Sequence, residues 1–180
     1  MLLWLQPEGH GAIVIDFRHH AYVWDTPIAE FPLTPASVAV GTQQIEHDAP
    51  PPFRLPANDL DGLLWLIGLN SFPDRLASWL RPGDKYRLRR HPDLNGVPYT
   101  AEQVRIIRAL DKGLLFSTEK IAKSIDLEPA AVFPVINALS LMGALRRAPS
   151  SHGAPMEPPP PPSDAPLSAV EKFRARLGLE

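Results

Sequence analysis

The sequence predicts an α+β chain: a small N-terminal β-sheet with helices, then a tri-helical unit, then a proline-rich tail expected to be disordered. Three observations carry that reading. Short β-branched and aromatic runs fill residues 1–55, helically spaced leucines take over from Pro56, and proline dominates after Arg147. The chain has 180 residues, 44% of them hydrophobic and 22 of them proline. That is enough apolar content for a core, but too much proline for regular structure throughout.

Residues 1–55 form the β-rich region. "LLWLQ", "AIVIDF" and "AYVWD" are short runs separated by turn-rich pieces such as "PEGHG". Partial alternation in "YVWDT" and "SVAVGTQQIEH" fits a sheet with one solvated face. "APPPFRLP" then interrupts regular structure.

Residues 56–98 are expected to be a helical and extended connecting region. Asn58 or Asp59 can cap a helix whose apolar stripe is Leu60, Leu63, Leu64 and Ile67. "FPDRLASWLRPG" predicts another turn or two of helix, ended by Pro82 and Gly83. In "DKYRLRRHP", Tyr86 and Leu88 alternate with charges, as in a short strand.

Three helices are predicted over 99–147. Thr100 with Gln103 makes a capping box, and Val104, Ile107 and Leu110 make the buried stripe of the first. Ser117 caps the second, with Ile121 and Ile125 facing inward. The third takes Pro129 near its first position and runs through Val132, Ile136, Leu139 and Met142 to Gly143. Pro134 lies inside it and predicts a kink or a later start, because an interior proline costs roughly 3 kcal/mol.

Residues 148–166 predict a disordered, polyproline-like linker. Residues 167–180 follow as an amphipathic peptide, with Val170, Phe173 and Leu177 at i, i+3 and i+7. That stripe is expected to dock on a partner, with folding back onto its own domain as the alternative, while Lys172, Arg174 and Arg176 stay available to water or an acidic rim.

No motif calls for catalysis, a cofactor or a metal. The chain has no cysteine, which removes disulfides, thiolate metal sites and cysteine nucleophiles and fits a reducing compartment. "STEK" (117–120) fits S-x-x-K, but no S-D-N or K-T-G partner follows, so Ser117 is read as a helix cap. Asp16, His19, His20 and Asp25, with His10 upstream, offer zinc-ligand chemistry without ligand spacing. Adjacent histidines on a strand point to opposite faces, so hairpin-turn polarity explains them better. "NDLDG" lacks the alternating ligands of a calcium loop and is read as capping. Gln6, Pro7 and Glu8 stop the first apolar run, and 60–69 is too short to span a bilayer. A cytoplasmic protein without membrane insertion is expected.

The second and third helices have the rhythm of a helix-turn-helix, which raises the question of DNA. Net charge is −2, so no global field draws the chain onto nucleic acid. Residues 113–145 carry Lys120 and Lys123 against Glu119, Asp126 and Glu128, and the third helix has Asn137 and Ser140 but no cation. Bases can be read there, but phosphates cannot be held. The cations lie earlier: Arg75, Arg81, Lys85, Arg87, Arg89 and Arg90 stand against Asp74 and Asp84 alone. Arg81, Lys85, Arg87, Arg89 and Arg90 are expected to dock an acidic protein. Nucleic acid is the second choice.

The stretch 72–147 resembles a degenerate winged-helix module of bacterial signalling proteins, of the PATAN/DUF4388 type, and partners of MglA-like small GTPases. "RRHPDL" precedes the first helix, "IIRALDKG" closes it, "STEKIAKSIDL" is the second and "VINALSLMGAL" the third. The resemblance implies a non-catalytic adaptor in signalling, with a small GTPase or a motility or pilus regulator as partner. It carries over no site residue.

Overall fold

The computed structural model describes residues 1–31, 38–54 and 57–150. The expectations for Val170, Phe173 and Leu177 fall outside them.

The first sheet is antiparallel throughout, in the order β4-β1-β2-β3-β5. Its strands are β1 (Leu2–Pro7), β2 (Ile13–Asp16), β3 (Ala21–Val23), β4 (Val38–Gln43) and β5 (Asn58–Asp59). Gly9, at φ +78, sits in the turn from β1 to β2, where a side chain would be strained. Leu3, Leu5, Ile13, Ile15 and Tyr22 are buried in the core.

β5 runs directly into α1 (Leu60–Ser71), and the Asp59 carboxylate caps it by accepting from the Asp61 N–H at 2.8 Å. Leu60 through Gly68 are all buried, so this helix has no solvent face along that run. It packs along α4 (Pro129–Leu141) at a close crossing. A Cβ on Gly68 would lie 2.3 Å from Ala138 Cα, so the backbones meet where only glycine fits.

The second sheet has the order β7-β6-β8, with β6 (Lys85–Leu88) antiparallel to both β7 (Phe116–Ser117) and β8 (Leu145–Ala148). Around it stand α2 (Ala101–Leu110), α3 (Thr118–Ser124) and α4. The Thr100–Gln103 capping box and the Ser117 cap both form. Between α3 and α4 the axis turns by 118°, through a short link in which Asp126 takes φ +54. One apolar core, from Leu3 to Ala144, runs through both sheets and all four helices. Segment 56–98 thus supplies a central helix and a middle strand. Among the described residues, no single helix is long and apolar enough to cross a membrane.

Two expectations need correction. Segment 72–83 is not helical. Asn137, 1% exposed, takes its backbone groups instead: its Oδ1 accepts from the Ala77 N–H at 2.9 Å, and its Nδ2 donates to the carbonyls of Phe72 and Arg75. A side chain sixty residues away in sequence replaces local helical bonds. Of the two outcomes expected at Pro134, the later start does not occur: α4 starts at Pro129 and continues through it. Val132, Val135, Ile136 and Leu139 are buried there. At about 2 kcal/mol each they outweigh the proline.

Candidate functional site

Strand alternation builds the candidate site. On β6, Tyr86 turns into the core at 1% exposure, so Lys85 and Arg87 take the opposite face, with Arg89 one step beyond the strand. The register with β8 sets Arg146 directly across from Arg87. Like charges so placed destabilise a sheet. Arg87 donates to the Gly113 carbonyl at 3.3 Å, but none of Lys85, Arg87, Arg89 and Arg146 has an ion pair among the described residues. Four cations therefore share one outer sheet face without an ion-pair partner among the described residues. Sequence reading missed Arg146, although its alternation in "LRRA" after Gly143 was a usable signal. Arg81 is exposed at the turn leading into β6.

Arg90 does not belong to that face. Its guanidinium turns inward onto Asp61, with Nη1–Oδ2 at 2.5 Å and Nη2–Oδ1 at 2.6 Å, and Nη2 also donates to the Met142 carbonyl. Asp61 is 1% exposed and further accepts from the Asp93 N–H and pairs with His20 Nε2, both at 2.9 Å. Burial pushes its carboxyl up, but the bonds from Arg90, Asp93 and His20 outweigh that and hold it below the usual carboxylate range. Burial and the nearby Asp59 charge raise the Tyr22 hydroxyl to about 12.

One oxygen or nitrogen each from His20, Asp59 and Asp61 lies within 4.8 Å of the others, close enough to hold a cation. Both Asp61 oxygens are already taken by Arg90, so a metal would have to displace it. The group is an ion-pair knot that joins the β2–β3 turn, α1 and the end of α4.

The other candidates from the sequence separate. Asp16, fully buried, is consumed by Arg18, whose guanidinium also gathers the carbonyls of Glu46, His47 and Ala49. Hydrogen bonding from Arg18 holds the Asp16 carboxyl low against its burial. His19 and Asp25 are exposed, and His10 stands against the Trp24 ring. His19 and His20 lie in the β2–β3 turn, and His10 in the β1–β2 turn, rather than on strands. At "STEK", Ser117 Oγ accepts from the Lys120 N–H, and the Lys120 ammonium lies over Phe116 at 5.0 Å. Those contacts make a cap and a cation–π pair.

Asn137 and Ser140, the polar side chains of α4, are both engaged inside the fold. Asn137 holds segment 72–77, and Ser140 Oγ accepts from Trp79 Nε1 at 3.0 Å.

A second surface is an open cleft of about 510 Å³ beside α2. Leu94, Tyr99, Val104 and Ile107 give it apolar walls, and Asp93, Arg108 and Asp111 stand at its rim. Val104 and Ile107, expected in the core, face this cleft half-buried, while Ile106, Ala109 and Leu110 make the inner face of α2.

No protein-family model, curated protein or solved structure matches the chain.

Proposed function

We propose that the chain is a non-catalytic cytoplasmic adaptor in bacterial signalling, and that it docks an acidic protein on the Lys85–Arg87–Arg89–Arg146 face. The observation that carries this reading is the engagement of α4. In a helix-turn-helix, the second helix offers its side chains to base edges. Here that helix lies along α1, and its two polar residues hold the segment 72–79. The order α2, β7, α3, α4, β8 supports a winged-helix-like unit with one change. The middle strand, which a wing would supply after the third helix, comes from β6, ahead of α2. The cations left available sit on an outer sheet face suited to a carboxylate-rich surface. The sequence resemblance makes an MglA-like small GTPase, or a motility or pilus regulator, the first partner to try.

A pulldown from the host identifies the partner. Lys85→Glu with Arg89→Glu should then slow association and weaken its salt dependence, since long-range charge sets the encounter rate. Unchanged association kinetics would make the face a solvated surface only. The same uncompensated cations favour a second reading, nucleic-acid binding through phosphates. That reading requires retention of random duplex at low salt, lost steeply as salt rises.

A further inference from the structure

The α2 cleft has no part in the adaptor reading. We infer that it is the seat of this chain's own C-terminal segment, residues 167–179. Three features fit together.

The first is shape. Val104 and Ile107 stand along the cleft at i and i+3 of α2, with Leu94 and Tyr99 completing its apolar wall. Val170 and Phe173 have the same spacing, and Leu177 extends their stripe by one turn. A helical segment laid beside α2 sets one stripe against the other, the helix-in-groove arrangement. The cleft's 510 Å³ lies within the range of roughly 300–1,000 Å³ that takes compact apolar ligands. Phe173 is the anchor.

Charge is the second. Asp93 and Asp111 stand on the rim with Arg108 and with His91, whose Nε2 lies 3.3 Å from Asp111 Oδ1. Between Leu167 and Leu179, Lys172, Arg174 and Arg176 stand against Glu171. The basic segment thus has two rim carboxylates within reach, Asp93 and Asp111.

The third is reach. Ser150, the last described residue, donates its N–H to Asp84 Oδ1 beside the start of β6. The cleft begins at His91, just past the other end of that strand. Four strand residues cover about 13 Å. The 16 residues from 151 to 166 can span up to about 50 Å at 3.1 Å each. Tethering at such lengths gives effective concentrations in the millimolar range, so a weak groove contact is populated within one molecule.

The chain's lack of cysteine permits a direct test. In the full chain, Gly178→Cys creates a single thiol for a nitroxide label. The methyl signals of Leu94, Val104 and Ile107 should then lose most of their intensity, equally at high and low protein concentration. Phe173→Ser in the labelled chain should restore them. Intensities untouched by the label sink the proposal. Broadening that fades on dilution makes a second copy the occupant and overturns the intramolecular seat. Broadening that survives Phe173→Ser shows that the stripe does not make the contact, and also overturns it. No partner is present in this experiment, so each of these failures leaves the adaptor reading where it stood.

Discussion

Arg89 and Arg90 are neighbours in the chain and opposites in the fold. Arg90 reaches into the knot around Asp61, where a buried carboxylate meets two guanidinium nitrogens, a backbone N–H and an imidazole. Arg89 belongs to the outer face of the second sheet, where four cations crowd together and Arg87 opposes Arg146. In the first region every charge is answered, because an unanswered charge without water is expensive. In the second, water lets repulsion persist at small cost. A charge that the fold depends on is recognised by its saturation. One that water holds instead is left without a partner in the fold.

The largest test of that contrast is Arg90→Ala. It strands the buried Asp61 carboxylate and should cost about 3 kcal/mol in urea unfolding. Arg89→Ala should stay within about 0.5 kcal/mol. Equal losses at the two positions would erase the distinction between the regions.

Asn137→Ala comes next. It leaves the Ala77 N–H and the Phe72 and Arg75 carbonyls without their side-chain partner. A loss of about 2 kcal/mol follows. Any retention of random duplex by the folded variant should match that of the parent. Loss of duplex binding with stability intact would return α4 to the role of a reading helix.

Acid sharpens the same contrast. Asp61 and Asp16 both have folded pKa values below the ordinary 3.8, so their stabilisation is fully present above that value and is lost as pH falls through the folded values. The urea midpoint should hold from pH 7 to about pH 5 and drop below about pH 4. The drop should be shallower in Arg90→Ala. An identical acid limb in that variant would show that Arg90 does not hold the Asp61 carboxyl low.

The smallest effect carries the opposite sign. Arg146→Ala removes the cation opposite Arg87 and should stabilise the chain by about 0.5 kcal/mol at low salt, with the gain shrinking as salt rises. A loss of stability would mean that the face is built for the fold after all.

Local signals were legible in the sequence. Asp59, Thr100 and Ser117 cap the helices whose apolar spacing announced them, because a cap and its N–H lie within three residues. The strand at Tyr86 and Leu88 was legible from alternation, and so was most of the basic face. What stayed hidden depends on distance along the chain. Asp61 looked like a cap beside "NDLDG" and Arg90 like one more patch cation, since nothing local joins positions 29 residues apart. Asn137 looked available to DNA because periodicity separates polar from apolar faces without saying what covers them. Val104 and Ile107 carried a core-like spacing that two different faces of α2 share.

The middle position of β6 also shapes how the molecule assembles. On the ribosome this strand emerges before either neighbour, and its pairing of Leu88 with Leu145 waits for the last strand of the described fold. Helical units usually fold fast because their contacts are local, whereas this sheet closes over a long intervening chain and should set the slow step. Until β8 arrives, β6 has an open edge, the kind of template that recruits foreign strands. Lys85, Arg87 and Arg89 are on or beside that edge from the start, and charges of one sign are what keep nascent copies from pairing with each other.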